Sequence, residues 1–154
     1  MAGRLTRLWR PVAAGLCGSV AHNILMALKS WAQWLPGFEP YQDLQATLTA
    51  AVGSSVPAVV PWLLTYLNGS VVLGFLYGHL HRRIPGNSGA AKGAVFGLCG
   101  WVAMGLMAFP LLGKGLFGTQ AGLGVKPALF TLLMMLTYSV VLGVAYAALE
   151  PDRR

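Results

Sequence analysis

The chemistry this chain could perform rests on few residues: His is present three times and Cys twice, and charged residues make up 10% of the sequence. His22 and Asn23 lie roughly 16 Å along the first apolar stretch, counted at about 1.5 Å per helical residue, and Asn68 lies roughly 18 Å from the inner end of the second, so the depths are similar. Thr65 is one turn from Asn68. Unpaired polar groups are costly in hydrocarbon, so His22 or Asn23 is expected to hydrogen-bond with Asn68 or Thr65 on the neighbouring helix. Two readings stay open: a midplane site for a ligand, proton or cofactor, or a hydrogen bond that pins two helices.

The other two histidines, His79 and His81, adjoin Arg82 and Arg83. Spacing i, i+2 points them to different helix faces, and no Cys, Asp or Glu stands nearby to complete a metal site. The expected role is contact with lipid phosphates. Haem fits poorly too, because His22 and His79 differ in depth by roughly 13 Å and could not approach one plane from opposite sides. No cofactor is expected. Cys17 and Cys99 each stand beside glycine and read as small packing residues. Without Cys-x-x-Cys, Gly-x-Ser-x-Gly, a phosphate loop or His-Glu-x-x-His, the chain is not expected to be an enzyme.

The elements that place these residues follow from composition. With 56% hydrophobic residues and a mean hydropathy of +0.63, the chain is too apolar for a water-soluble domain of this length. Stretches 12–28, 57–78, 93–113 and 127–149 are free of Asp, Glu, Lys and Arg, and each approaches the roughly 20 residues that cross about 30 Å of hydrocarbon. Lys29 is expected to snorkel outward between Trp31 and Trp34. Prolines fall near stretch ends, and the runs lack the period of two that β-barrel strands need. The fold class is therefore all-α: a polytopic membrane protein with four transmembrane helices in one domain, residues 1–154.

The sequence also repeats itself. Gly-Leu-Cys-Gly-x-Val-Ala occurs at 15–21 and again at 97–103; Ser-Val-Val-Leu-Gly with a following Tyr and Leu occurs from Ser70 and again from Ser139. Two matches in the same order imply a duplicated helix pair, residues 12–80 and 93–149, in a 2+2 parallel repeat related by a pseudo-two-fold axis along the membrane normal. Gly15, Gly18, Gly97 and Gly100 are the expected helix-packing positions, bringing the first span against the third. In the second copy Met104 and Gly105 replace His22 and Asn23, so the polar pair belongs to the first copy alone.

Arg4, Arg7, Arg10, Arg82, Arg83, Lys92, Arg153 and Arg154 fall on one side of this arrangement and Lys29, Lys114 and Lys126 on the other, which puts both termini in the cytoplasm. The net charge of +7 then reflects topology and attraction to anionic lipid, and nucleic acid is not an expected partner. A basic start before an apolar run also suits a signal peptide, but the repeat includes that run, so it is expected to be retained. Of the outer connections, 35–56 places Phe38, Tyr41, Leu44, Leu48 and Val52 at helical spacing and predicts a short amphipathic helix after Pro40. Residues 113–126 are glycine-rich and read as either flexible or tightly docked.

From 12 to 149 the chain resembles the small prokaryotic four-helix membrane proteins of uncharacterised function. The likeness rests on glycine-packing motifs, chiefly Gly-Leu-Cys-Gly-x-Val-Ala-His at 15–22, and implies an inner-membrane location without supplying catalytic residues. Three functions stay open: an accessory or assembly subunit of a larger, respiratory-type membrane complex; a small oligomeric transporter or channel lined by His22, Asn23 and Asn68; and, weakest, an enzyme or cofactor carrier. Other integral subunits or further copies of the chain are the expected partners, with the bilayer.

Overall fold

A computed structural model describes residues 2–150, with side chains from residue 9 onward. Four helices are long and apolar enough to cross a membrane, which suggests a multi-pass membrane protein: residues Trp9–Trp31 of α1 (Ala2–Trp31), α3 (Val59–Leu80), α4 (Gly89–Leu111) and α5 (Lys126–Ala148). A shorter helix, α2 (Pro40–Val52), fills the expected place after Pro40. The outward surface carries Leu16, Val20, Ile24, Leu64, Leu67, Val72, Leu106 and Leu133 in exposed positions, as a bundle facing hydrocarbon requires. Helix α1 begins before Pro11, so the proline lies inside the helix, near the start of the span rather than in the helix's first turn.

Two spans widen to π-helical turns, at Asn68–Leu73 in α3 and Met104–Ala108 in α4. The first is braced across the bundle, since the Tyr138 hydroxyl donates to Gly69 O at 2.5 Å.

Contacts run in the order α3, α1, α5, α4: α1 packs on both α3 and α5, and α4 on α5. The expected centre, first span against third, is therefore not the central pair. Gly15 lies against Ser70 and Gly69 of α3, Gly18 against Tyr138 of α5, Gly97 against Ser139 and Met135 of α5, and Gly100 against the end of Met135. The small residues face these neighbours because they let backbones approach, and without a strong hydrophobic drive between helices that approach supplies much of the attraction. A two-fold axis along the membrane normal would match the broad α1–α5 contact with an equally broad α4–α3 contact. Helices α3 and α4 meet at one end, where Tyr77 stands edge-on to Phe96 with ring centroids 5.3 Å apart and Lys92 Nζ donates to His81 O at 3.0 Å. The packing thus departs from the expected axis.

Two apolar clusters fill the interior. Ala14, Tyr77, Phe96, Tyr138 and Leu142 form one toward the termini end; Met26, Phe38, Phe109, Phe130 and Met134 form the other toward the opposite, loop end. Phe38 comes from the connection and plugs the bundle, its ring 6.3 Å from Phe109 and 6.4 Å from Phe130.

Candidate functional site

The polar residues expected to meet at mid-span do not meet. Asn23 Nδ2 donates to Ser19 O at 2.8 Å in its own helix, and Asn23 Oδ1 accepts from the Tyr41 hydroxyl of α2 at 3.1 Å. Thr65 donates to Pro61 O at 2.9 Å. His22 is half-buried on α1, while Asn68 is exposed on the outside of the bundle. Depth along the span was legible, but azimuth was not: the π-turn beginning at Asn68 changes the residues per turn and with them the face each presents. The expected bond from His22 or Asn23 to Asn68 or Thr65 is replaced by one from Asn23 to the outer connection.

That connection is fastened at two further points. Lys29, expected to snorkel outward, is 1% exposed; its ammonium donates to Phe38 O at 2.6 Å and pairs with Glu39 at 2.5 Å. Lys114 in the glycine-rich loop pairs with Asp43 of α2 at 2.8 Å. The loop itself is docked, with Phe117 against Trp101 at 4.9 Å and Gly118, at φ +76°, buried against Phe109 and Pro127 where a Cβ would crowd both. Burial, reinforced by the neighbouring Tyr66, raises the Tyr41 phenol above its ordinary value. Cys17 and Cys99, expected to pack, are both exposed.

At the termini end the structure gathers groups that the sequence motifs separated. Arg10 of α1 lies over the Tyr146 ring, 4.8 Å from its centroid, and donates to Tyr146 O at 3.3 Å. His81 stands 4.9 Å from the same ring and 6.3 Å from that of Tyr77. A cavity of about 480 Å³ opens here, lined by Arg10, His79, His81, Arg82, Tyr146 and Glu150 among others. Burial lowers the His81 imidazole below its ordinary value, helped by Lys92, Arg82 and Arg10 and opposed by Glu150. Of the expected headgroup-contact residues, His79, Arg82 and Arg83 are exposed and His81 is half-buried. Arg10, Tyr77, Lys92 and Tyr146 were not anticipated as part of this cluster. The signal was available in the repeated Tyr that follows each Ser-Val-Val-Leu-Gly, a position that stands next to the basic end of the spans.

A family model covers residues 5–154, taking in all four spans and both outer connections. The chain belongs to DUF6789, a family of unknown function. The resemblance to a family of uncharacterised function is thereby borne out. No curated protein and no solved structure matches the chain. For this DUF6789 member, function must be argued from the side chains themselves.

Proposed function

We propose that this protein is a non-enzymatic accessory or assembly subunit of a larger integral membrane complex, respiratory-type in class, in a prokaryotic inner membrane. Asn68 carries the reading. It is exposed on a helix apolar enough to span the membrane, roughly at mid-depth by helix rise, where a primary amide facing lipid would leave two donors and an acceptor unmet. A second membrane helix with a polar group at the same depth satisfies it. Leu64, Leu67, Val71 and Val72 surround it with an exposed apolar face suited to such a helix.

The filled interior supports a docking role over a transport path within one copy, since Tyr138, Leu142, Phe96 and Phe130 occupy the space between spans. Orientation rests on charge. Arg10, Arg82, Arg83 and Lys92 cluster at the termini end, whereas Lys29 and Lys114 at the other end are held by Glu39 and Asp43; this favours cytoplasmic termini. Arg4, Arg7, Arg153 and Arg154, which contribute to the same bias, lie outside the residues whose side chains are described. A duplicated hairpin is supported by paired contacts: Gly15 meets Ser70 as Gly97 meets Ser139, and Gly74 meets Pro11 as Gly143 meets Gly93. The neighbour order fits a hairpin repeated side by side better than one rotated about an axis.

Native mass spectrometry of the protein released from its own membranes in mild detergent tests the proposal. A stoichiometric second membrane subunit is expected. A pure homo-oligomer would favour the transporter or channel reading, with Asn68 between copies.

A further inference from the structure

Two buried donors at the termini end lack acceptors among the described residues: Arg10 Nε and the Tyr77 hydroxyl. Their surroundings make this more than a local defect. Arg10 is fixed by Tyr146, whose carbonyl takes one terminal guanidinium nitrogen and whose ring lies under the charge, so Nε is immobilised without a partner. Tyr77 is 1% exposed, and its hydroxyl sits against the backbone of α5, 3.0 Å from where a Cβ on Gly143 would stand. Each residue lines one lobe of a divided cavity. The larger lobe, about 480 Å³, contains Arg10; the smaller, about 230 Å³, contains Tyr77 and Lys92; both share His81, Tyr146 and Glu150. Arg10, Arg82 and Lys92 outweigh Glu150, the one carboxylate among the described residues that line the cavity.

A buried donor left unmet forfeits free energy that an anionic oxygen restores, and more strongly where the donor is charged. One group with several anionic oxygens can meet donors on different walls, as a single carboxylate cannot so readily do. We propose that this cavity binds a phosphate group, with Arg10 and Tyr77 as its buried donors and Arg82 and Lys92 as the cations at its rim. Because the cavity lies at the ends of the spans, where head groups are found, the phosphate belongs to an anionic phospholipid or is free in solution; the chemistry is shared. His81 lies on the wall shared by both lobes, its imidazole lowered below its ordinary value by burial, with Lys92, Arg82 and Arg10 beside it.

The test uses the purified full chain in a non-ionic detergent, titrated with inorganic phosphate, dioctanoyl phosphatidic acid or dioctanoyl phosphatidylcholine, with heat of binding and thermal midpoint both read. The wild type is expected to bind a phosphate probe saturably and the zwitterionic lipid at least tenfold more weakly, about the factor that one charge-assisted contact supplies. Equal saturation by phosphate and phosphatidic acid assigns the site to free phosphate; saturation by phosphatidic acid alone assigns it to a head group. Arg10→Gln and Tyr77→Phe should each weaken binding roughly tenfold. Arg10 also packs on Tyr146, so the exposed Arg82→Gln serves as a second variant whose fold is not at stake, and it too should bind more weakly. Failure of the folded wild type to bind either anion, equal affinity for phosphatidylcholine, or unchanged affinity in Tyr77→Phe and Arg82→Gln together would overturn the proposal.

Discussion

Lys29 Nζ lies 2.5 Å from Glu39 Oε1, and this pair ties the end of the first span to the connection that follows it. The ammonium is buried and the carboxylate is 38% exposed, so the pair keeps one side in contact with polar surroundings. It fixes the backbone at Phe38, whose carbonyl takes a second proton from Lys29 and whose ring plugs the bundle. A charged pair, a buried aromatic ring and the Tyr41–Asn23 bond thus act at one end of one short helix.

Glu39→Gln keeps an oxygen that can accept from the buried ammonium but removes the compensating charge, and should cost about 1 to 2 kcal/mol, below the usual figure for a fully buried pair because Glu39 is partly exposed. Lys29→Met removes the buried charge and leaves a carboxylate that is partly exposed, so it should cost less. Thermal unfolding in detergent checks both, and equal stability of wild type and Glu39→Gln would show that the connection is held by Phe38 alone.

Close approach between spans can be graded residue by residue. A Cβ at Gly93 would fall among Ser139 and Val140 backbone atoms, and one at Gly15 would stand 2.6 Å from Ser70 O, whereas one at Gly100 would meet only the methyl end of Met135. Gly15→Ala and Gly93→Ala should each cost about 1 to 3 kcal/mol, as overpacked cores do. Gly100→Ala should cost well under half as much. The reverse ranking in chemical or thermal unfolding would contradict the neighbour order.

Tyr138→Phe removes the hydroxyl that braces the π-turn at Gly69. Gly69 O keeps the Gly74 N–H as a partner, so the cost should be modest, about 0.5 to 1.5 kcal/mol. Hydrogen exchange at residues 69–74 should rise in the variant, and unchanged protection there would mean the turn needs no brace.

What the sequence disclosed follows the physics of hydrocarbon. Uninterrupted apolar runs, prolines near their ends and the amphipathic spacing from Phe38 to Val52 located the spans and α2 because each pattern is one-dimensional. Partner choice is not. Gly15 and Gly97 were recognisable as packing residues, yet the helix each faces depends on rotation about its own axis, which neighbouring side chains decide together. Lys29 departs from the sequence expectation for a related reason: snorkelling is the default for a lysine near a span end, and only the folded connection brings Glu39 and the Phe38 carbonyl to meet it. The repeated Tyr marked the end of the span at which Tyr146 stands, but its sharing of one cavity with Arg10 of α1 and His81 just beyond α3 depends on how three segments pack.

His81 gives a pH dependence. Its imidazole titrates below the ordinary 6.5 in the folded protein, so the unfolded chain binds the proton more readily as pH falls below that value. The associated stability is fully present above about pH 6.5 and is lost as pH falls toward the lower folded value. In phosphate-free buffer, thermal midpoints of wild type and His81→Asn should converge on acidification as the wild type loses this contribution. A constant difference between pH 8 and pH 5 would show that His81 does not titrate against Arg10, Arg82 and Lys92.

The central claim is that Asn68 faces another membrane protein, and Asn68→Leu tests it most directly when the isolated chain and its complex are measured together. If the amide serves a partner helix, the variant should unfold at the same temperature as wild type, or slightly higher, while the stoichiometric subunit seen with wild type is lost from native mass spectra of the solubilised membrane. A variant that keeps its full complement of subunits would contradict the account, and so would one whose isolated fold is destabilised, because the amide would then serve its own bundle.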